Sequence, residues 1–160
     1  EFRSTDVNDL LNRCVLLSQH KLALQQIQVK TRFSPDLPPI LADFNQLQQC
    51  VINLIFNAID AMPDGGELTL ASAFDARGKL VEIRVIDTGV GIAREDLGYI
   101  FDPFFTTKTE GKGLGLGLST AYGIIDRHGG TIHVKSEEHK GTEFILRLPV
   151  SGPRATDKTG

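Results

Sequence analysis

The sequence predicts one domain of the α/β (α+β) class, a two-layer sandwich in which a mixed sheet carries helices on one face. Its 160 residues suffice for a single hydrophobic core. The apolar share of 41% and the charged share of 23% are ordinary for a globular chain. Stretches with helical periodicity are interspersed with stretches in which apolar and polar residues alternate, and this order favours a sheet covered by helices.

The pattern of apolar residues in the first part of the chain predicts a strand, a helix and a second strand. Residues 2–6 are predicted to form a short strand, residues 8–26 an amphipathic helix and residues 27–33 a strand. Prolines in the segment 35–39 then interrupt regular structure. The apolar positions of this amphipathic helix include Leu10, Leu11, Cys14, Val15, Leu17, Leu22 and Leu24.

A second helix is predicted from Asp43, an N-cap residue, to about Met62, where Pro63 ends it. The helix is apolar on most sides, so it should be deeply buried. Polar side chains nevertheless recur three or four positions apart and form one stripe: Gln49, Asn53, Asn57 and Asp60. The stripe is either the solvated face of a partly exposed helix or the lining of a ligand site. In the second case Asn57 can offer its carbonyl oxygen to Mg²⁺, which takes few protein ligands.

The remaining elements follow in chain order: strands at 67–74 and 80–86, a turn at 87–91, a short helix at 93–100, a long loop at 102–115, a helix at 119–128, and strands at 131–136 and 142–149 that pair as a closing hairpin. The paired glycines after His128 are typical of a helix end. We expect residues 1–150 to form the domain and residues 151–160 a disordered tail.

Composition excludes several classes of protein. The net charge of −3 gives no electrostatic reason to expect nucleic-acid binding. Cys14 and Cys50 lie far apart in helix-like contexts and form neither a metal motif nor a disulfide framework, which favours a reducing compartment. No signal peptide and no apolar run long enough to span a bilayer occurs. We therefore expect a cytoplasmic chain without membrane contact, while membrane anchorage of a longer parent protein stays open.

A glycine-rich run, residues 111–119, precedes the third predicted helix. Gly113, Gly115 and Gly117 stand at alternate positions, and a helix N-terminus behind such glycines forms a phosphate cradle. The alternative is a flexible loop that docks on the core. Because Lys112 is followed by glycine, the G-x-x-x-x-G-K-[ST] phosphate loop is absent. The dinucleotide spacing and the H-R-D and D-F-G motifs of ordinary protein kinases are absent too.

A second glycine motif, Asp87-Thr-Gly-Val-Gly-Ile92, follows a predicted strand. An aspartate at a strand end can accept a hydrogen bond from an exocyclic amine such as adenine N6. Gly89 and Gly91 would let a flat base lie against the backbone. The alternative is a plain turn, since aspartate and glycine are common turn residues.

Three phenylalanines lie at and near the start of the long loop. Phe101, Phe104 and Phe105 either anchor it to the core or form a hinged lid that docks differently when ligand is bound. Lys108 and Lys112 are suitable counter-charges for a triphosphate.

Four segments together resemble the N, G1, F and G2 boxes of bacterial sensor histidine kinases: Asn53-Leu-Ile-Phe-Asn-Ala-Ile-Asp-Ala61, Asp87-Thr-Gly-Val-Gly91, Phe101-Asp-Pro-Phe-Phe105 and Gly113-Leu-Gly-Leu-Gly117. Their order and spacing are similar to the ATP-binding catalytic domain of that family, nearest to its nitrogen-regulation type. The resemblance covers roughly residues 5 to 150. It implies the Bergerat ATP-binding fold of the GHKL superfamily, which is shared with gyrase, a heat-shock chaperone and a mismatch-repair ATPase.

The resemblance also implies roles for single residues. It makes Asn57 the Mg²⁺ ligand, places Asn53 on the phosphate side, and gives Asp87 the recognition of adenine N6. It implies catalytic positions for Asn57, Asn53 and Lys108. The implied ATP-binding residues are Asn53, Asn57, Asp87, Gly89, Gly91, Ile92, Phe101, Lys108, Lys112, Gly113, Leu114, Gly115, Leu116, Gly117 and Thr142, the last of which closes the adenine pocket.

Two departures from related patterns refine the expected reaction. ATPase branches of the superfamily carry glutamate where this chain has Asn53, and an amide cannot act as a general base, which favours phosphotransfer over hydrolysis. No histidine stands in a phosphoacceptor context, so His20, His128, His133 and His139 are expected to be structural or surface residues. The resemblance then implies that the acceptor histidine lies on the parent's dimerisation domain, and that a response regulator is a further partner.

Two other functions stay open at this point. One is a serine kinase of the anti-sigma-factor type, which has the same fold but a protein serine as acceptor. The other is a non-catalytic nucleotide-binding module that signals through ordering of its lid.

Overall fold

The computed structural model describes residues 1–102 and 115–153, with the backbone alone at 115 and 116. The elements in chain order are β1 Arg3–Thr5, α1 Val7–Leu24, β2 Ile27–Phe33, β3 Ile40–Ala42, α2 Phe44–Ala61, β4 Gly66–Asp75, β5 Leu80–Asp87, a 3₁₀ helix Arg94–Tyr99, α3 Gly115–Arg127, β6 Thr131–Glu137 and β7 Gly141–Pro149.

Five strands form a mixed sheet in the order β2-β4-β5-β7-β6. The β2–β4 pair is parallel, and the other three pairs are antiparallel. The mixed sheet and the closing β6–β7 hairpin confirm the sequence prediction. Strand β3, which pairs with β1 as a separate two-stranded ribbon, was not predicted, because three residues behind a proline-rich segment are too few to show an alternating pattern.

The three helices cover one face of the sheet, as predicted. Helix α2 packs between α1 and α3 and against β5. The covered face is apolar: Val85 pairs with Phe144, and Ile83 with Leu146. The opposite face carries charges, among them Glu82, which accepts hydrogen bonds from the guanidinium groups of two arginines at 2.8 and 3.0 Å. The result is a two-layer sandwich with its core between sheet and helices.

Helix α1 begins after Asp6, whose side chain accepts the Asp9 N–H at 3.1 Å. It ends before the predicted boundary, because Gln26 adopts a left-handed φ of 61°. Leu17 and Leu24, two of its apolar positions, lie outside the buried face and are 54% and 72% exposed. The buried face instead follows the helical repeat through Leu10, Leu11, Cys14, Ser18 and Leu22.

Helix α2 confirms its predicted N-cap, since the Asp43 carboxylate accepts the Gln46 N–H at 3.1 Å. Helix α3 begins at Gly115, four positions before the predicted start at Ser119, and its first turn is built from the glycine run. Gly129, with φ 75°, ends α3 as predicted. Packing continues past residue 150, because Gly152 is buried and donates to the Pro149 carbonyl at 3.1 Å. The rest of the predicted tail, 154–160, lies outside the described residues.

Two further observations concern the cysteines and the hydropathy of the helices. Cys14 and Cys50 are both free and buried. Among the residues that the structure describes, none of the helices combines the length and hydropathy needed to cross a membrane.

Candidate functional site

Asp87, the last residue of β5, is buried and only 4% exposed. Its Oδ1 atom accepts the backbone N–H groups of Gly89 at 2.8 Å and Thr142 at 3.2 Å. Burial raises the pKa of this carboxyl, although the two hydrogen bonds oppose the rise. Within residues 1–102 and 115–153, no hydrogen bond to the second oxygen, Oδ2, is formed. A buried carboxylate with one free oxygen is suited to an amine donor from a ligand.

A hydroxyl network joins the turn after β5 to the β6–β7 hairpin. The Ile92 N–H donates to Ser136 Oγ at 2.8 Å, and Ser136 donates to the Gly141 carbonyl at 3.0 Å. Ser136 Oγ also lies 2.8 Å from Thr142 Oγ1. Ser136 was not predicted as a site residue from the sequence. The signal that would have found it is the strand register, in which Ser136 pairs with the predicted site residue Thr142.

Gly89 and Gly91 have a structural reason to be glycine. A Cβ atom on Gly89 would lie 2.4 Å from the Ala61 carbonyl oxygen at the end of α2. A Cβ atom on Gly91, which has φ 74°, would lie 2.1 Å from the Glu137 carbonyl oxygen. The turn is therefore wedged between α2 and the β6–β7 hairpin. Contact of either glycine with a base stays a prediction.

Gly141 is a third glycine of this kind, and it was not predicted as a site residue from the sequence. It has φ 116°, and a Cβ atom there would lie 2.1 Å from the Asp87 carbonyl oxygen. Only glycine lets the start of β7 approach the end of β5 this closely.

Asn53 and Asn57 project from α2 one helical turn apart, and both are half-buried. Asn53 Oδ1 accepts from the Gln49 amide at 2.7 Å, and Asn53 Nδ2 donates to the Gly117 carbonyl at 3.2 Å. The polar stripe thus ties α2 to the first turns of α3. Amide oxygens are hard ligands that fit a cation of the Mg²⁺ type, which completes its shell with phosphates and water.

Phe101 packs against the core just before the predicted loop. Its ring centroid lies 5.4 Å from that of Tyr122 on α3 and 6.3 Å from that of Phe144 on β7. Other predicted residues lie outside the described residues: Phe104, Phe105, Lys108, Lys112, Gly113 and Leu114. The proposed lid movement of the loop therefore stays a prediction. Gly115 and Leu116 belong to the first turn of α3.

His128 has a structural role, as expected from its sequence context. It is 1% exposed at the end of α3. Its Nε2 atom accepts the Asp43 N–H at 3.1 Å, and its Nδ1–H donates to the Ile124 carbonyl at 2.8 Å. These bonds link the last turn of α3 to the N-cap of α2, so α3 is tied to α2 near both of its ends, through Gly117 and through His128.

The structure therefore brings most of the predicted site residues that it describes to one region. Strand pairing sets Asp87 beside Thr142, the Gly89 turn packs on the end of α2, and Asn53 reaches α3. The region combines a buried acceptor, an amide stripe and a helix that begins with glycines. A buried acceptor suits an exocyclic amine, and amide oxygens beside a helix N-terminus suit a hydrated cation and phosphates.

Comparison with known proteins identifies relatives of this arrangement. Residues 42–152 match the family described as "Histidine kinase-, DNA gyrase B-, and HSP90-like ATPase". Sensor histidine kinase ZraS of Escherichia coli (strain K12) is 40% identical over 149 residues, which are 93% of this chain and 31% of that protein. The chain thus spans about a third of the length of this relative.

Solved structures of histidine kinases are similar to this chain in fold. The catalytic domain of histidine kinase ThkA is 34% identical, with a TM-score of 0.84 over 94% of this chain and 97% of that one. ThkA has also been solved in complex with the response regulator protein TrrA, at 30% identity, a TM-score of 0.79 and coverage of 94% of this chain and 42% of that one. Full-length ShkA in complex with AMPPNP is 29% identical, with a TM-score of 0.85 over 97% of this chain and 32% of that one.

Proposed function

The chain belongs to the family of histidine kinase-, DNA gyrase B- and HSP90-like ATPases, and from this premise we propose that it binds Mg-ATP and transfers the γ-phosphate to a histidine on the dimerisation domain of its parent kinase. The observation that carries the proposal is the Asp87 carboxylate, buried and bonded through one oxygen only among the described residues. An adenine N6 amine supplies the donor that its other oxygen lacks.

The polar stripe of α2 supports the phosphate side of the site. Asn57 offers a carbonyl oxygen to Mg²⁺, and the magnesium ion supplies charge neutralisation at the phosphates when it is bound. Asn53 holds the Gly117 carbonyl, which orients the first turns of α3 toward the same region. Lys108 and Lys112 are proposed as further counter-charges of a lid.

The acceptor is proposed to lie outside this chain. His128 is the most buried of the described histidines. Both of its ring nitrogens are hydrogen-bonded, one to the Asp43 N–H and the other to the Ile124 carbonyl, so neither is free to be phosphorylated. Asn53 cannot activate water, which favours transfer over hydrolysis. The proposed partners are the parent's dimerisation domain and a response regulator, and the proposed location is the cytoplasm.

The experiment that tests this proposal mixes the chain with the dimerisation domain of its parent and radiolabelled Mg-ATP. The chain alone should neither label itself nor release phosphate appreciably. With the dimerisation domain it should label one histidine there, slowly, because the tether that raises effective concentration is missing. The product should be acid-labile and alkali-stable, as phosphohistidine is.

Three asparagine variants of one helix make the test specific. Asn57→Ala should abolish labelling, and Asn53→Ala should reduce it less. Asn45→Ala, at an exposed position in the first turn of the same helix, is the matched control and should label at the wild-type rate. An acid-stable product would favour the serine-kinase alternative, and rapid hydrolysis by the chain alone would favour an ATPase.

A further inference from the structure

Ser136 is surrounded by three hydrogen-bonding groups with different requirements. The Ile92 N–H at 2.8 Å is a donor only, so Ser136 Oγ must accept from it. The Gly141 carbonyl at 3.0 Å is an acceptor only, so the single hydroxyl hydrogen of Ser136 must go to it. Thr142 Oγ1, at 2.8 Å, is the third neighbour and is able to donate or accept.

These assignments determine the direction of the last bond. With its hydrogen committed to Gly141, Ser136 is able only to accept from Thr142. The hydroxyl hydrogen of Thr142 therefore points toward Ser136, and the remaining lone pairs of Thr142 Oγ1 face the other way. Thr142 is the direct strand partner of Asp87, and its own N–H donates to Asp87 Oδ1 at 3.2 Å. The groups left for a ligand at this strand pair are a carboxylate oxygen and a hydroxyl oxygen, both acceptors.

We propose that Ser136 is a specificity-determining positioning residue, which holds the Thr142 hydroxyl as an acceptor so that the site selects a 6-amino purine over a 6-oxo purine. A 6-amino group brings two N–H donors to the two acceptors. A 6-oxo group brings a third acceptor and no donor at that position, which a buried pair of acceptors rejects strongly. This inference rests on the proposed nucleotide function.

The test compares affinities of the chain for ATP and inosine triphosphate, which differ at purine position 6 and in the N1 proton. The wild-type chain should prefer ATP. Ser136→Ala frees the Thr142 hydroxyl to rotate and donate, so the ATP-to-inosine-triphosphate preference should fall about three- to tenfold. A residue that merely stabilised the fold would weaken both nucleotides equally and leave this ratio unchanged.

A second variant tests whether Ser136 acts through Thr142. Thr142→Val keeps the shape and removes the hydroxyl, and in that background Ser136→Ala should change the ratio no further. Ser72→Ala is the matched control. Ser72 lies on the same covered face at β4, accepts the Ser34 N–H at 3.1 Å and donates to Asn8 at 2.7 Å, but it lies away from this network. It should leave the ratio at the wild-type value.

The outcomes separate the two claims. A wild-type chain that binds neither nucleotide would overturn the proposed function itself. A wild-type chain that prefers ATP, together with a Ser136→Ala variant that keeps the same preference, would overturn the role of Ser136 and leave the nucleotide function standing.

Discussion

Asp87→Asn is the substitution that best separates recognition of the base from folding. The amide is isosteric with the carboxylate. Its oxygen is able to keep accepting the N–H groups of Gly89 and Thr142, which lie 2.8 and 3.2 Å from Oδ1 in the wild-type chain. The amide NH₂ then occupies the position of Oδ2 and presents a donor to a ligand amine. The fold is retained while one charge-assisted hydrogen bond becomes a donor–donor contact.

The expected loss follows from the burial of this group. A hydrogen bond to a charged group contributes about 1.5–3 kcal/mol, and Asp87 is only 4% exposed, so solvent screens little of it. That range corresponds to a roughly ten- to hundredfold weaker affinity for ATP. Calorimetric titration of ATP into the two proteins measures the difference directly.

The matched control is Asp75→Asn at the other end of the β4–β5 hairpin. Asp75 also accepts two turn N–H groups through Oδ1, at 3.1 and 3.3 Å, but it is exposed. Its substitution should leave ATP affinity unchanged. Equal ATP affinity of the Asp87→Asn variant and the wild-type chain would refute the assignment of Asp87 to the base.

Asp87→Asn should also affect stability, in the opposite sense. Burial raises the pKa of Asp87, so the folded chain holds a proton there more readily than the unfolded chain does. The charged form therefore costs the native state free energy above the raised pKa, and this cost disappears as the pH falls through that pKa. Without nucleotide, the variant should unfold with equal or higher free energy at neutral pH. Its advantage should shrink toward about pH 4.

Two further predictions concern packing. Gly89→Ala places a Cβ atom 2.4 Å from the Ala61 carbonyl oxygen and should lower the free energy of unfolding in urea by about 1–3 kcal/mol. Gly117→Ala has open space at its Cβ and should stabilise α3 by up to about 1 kcal/mol. Equal urea midpoints for the two variants would contradict the wedged turn. Burial raises the pKa of the Cys14 thiol to about 12 and also raises the pKa of the Cys50 thiol. An aromatic disulfide reagent at about pH 8 should therefore modify both only as fast as the chain unfolds, and at once in denaturant. Rapid modification of the native chain would show that this core opens locally.

Local chemistry explains which elements were predictable from the sequence. Asp43 and Gly129 act on backbone groups within a few residues of themselves, so a helix start and a helix end are visible in the sequence. Asp87 was found because a strand followed by an acidic glycine turn is also a local pattern. The boundaries of α1 and α3 were less accurate, since a left-handed Gln26 and a helix that begins inside a glycine run contradict local propensity.

The rest depends on contacts between distant segments. Ser136 matters because its strand partner is Thr142 and because the Ile92 N–H reaches it across 44 positions. Gly141 matters because β7 begins against the end of β5. Neither residue has a local signature that separates it from an ordinary strand serine or turn glycine. Strand β3 likewise lacks a local signature, because it forms by pairing with β1.

The pairing of Asp87 with Thr142 has a consequence for biogenesis. The two residues lie 55 positions apart, and they meet only when β7 has joined β5 as its neighbour. Until β7 has been synthesised, a nascent chain that already contains the acidic turn lacks its partner strand. In the proposed function, nucleotide binds only a species in which β7 is in place, so it is unable to assist the early steps of folding. Its stabilising effect falls entirely on the finished domain, where it slows unfolding rather than speeding assembly.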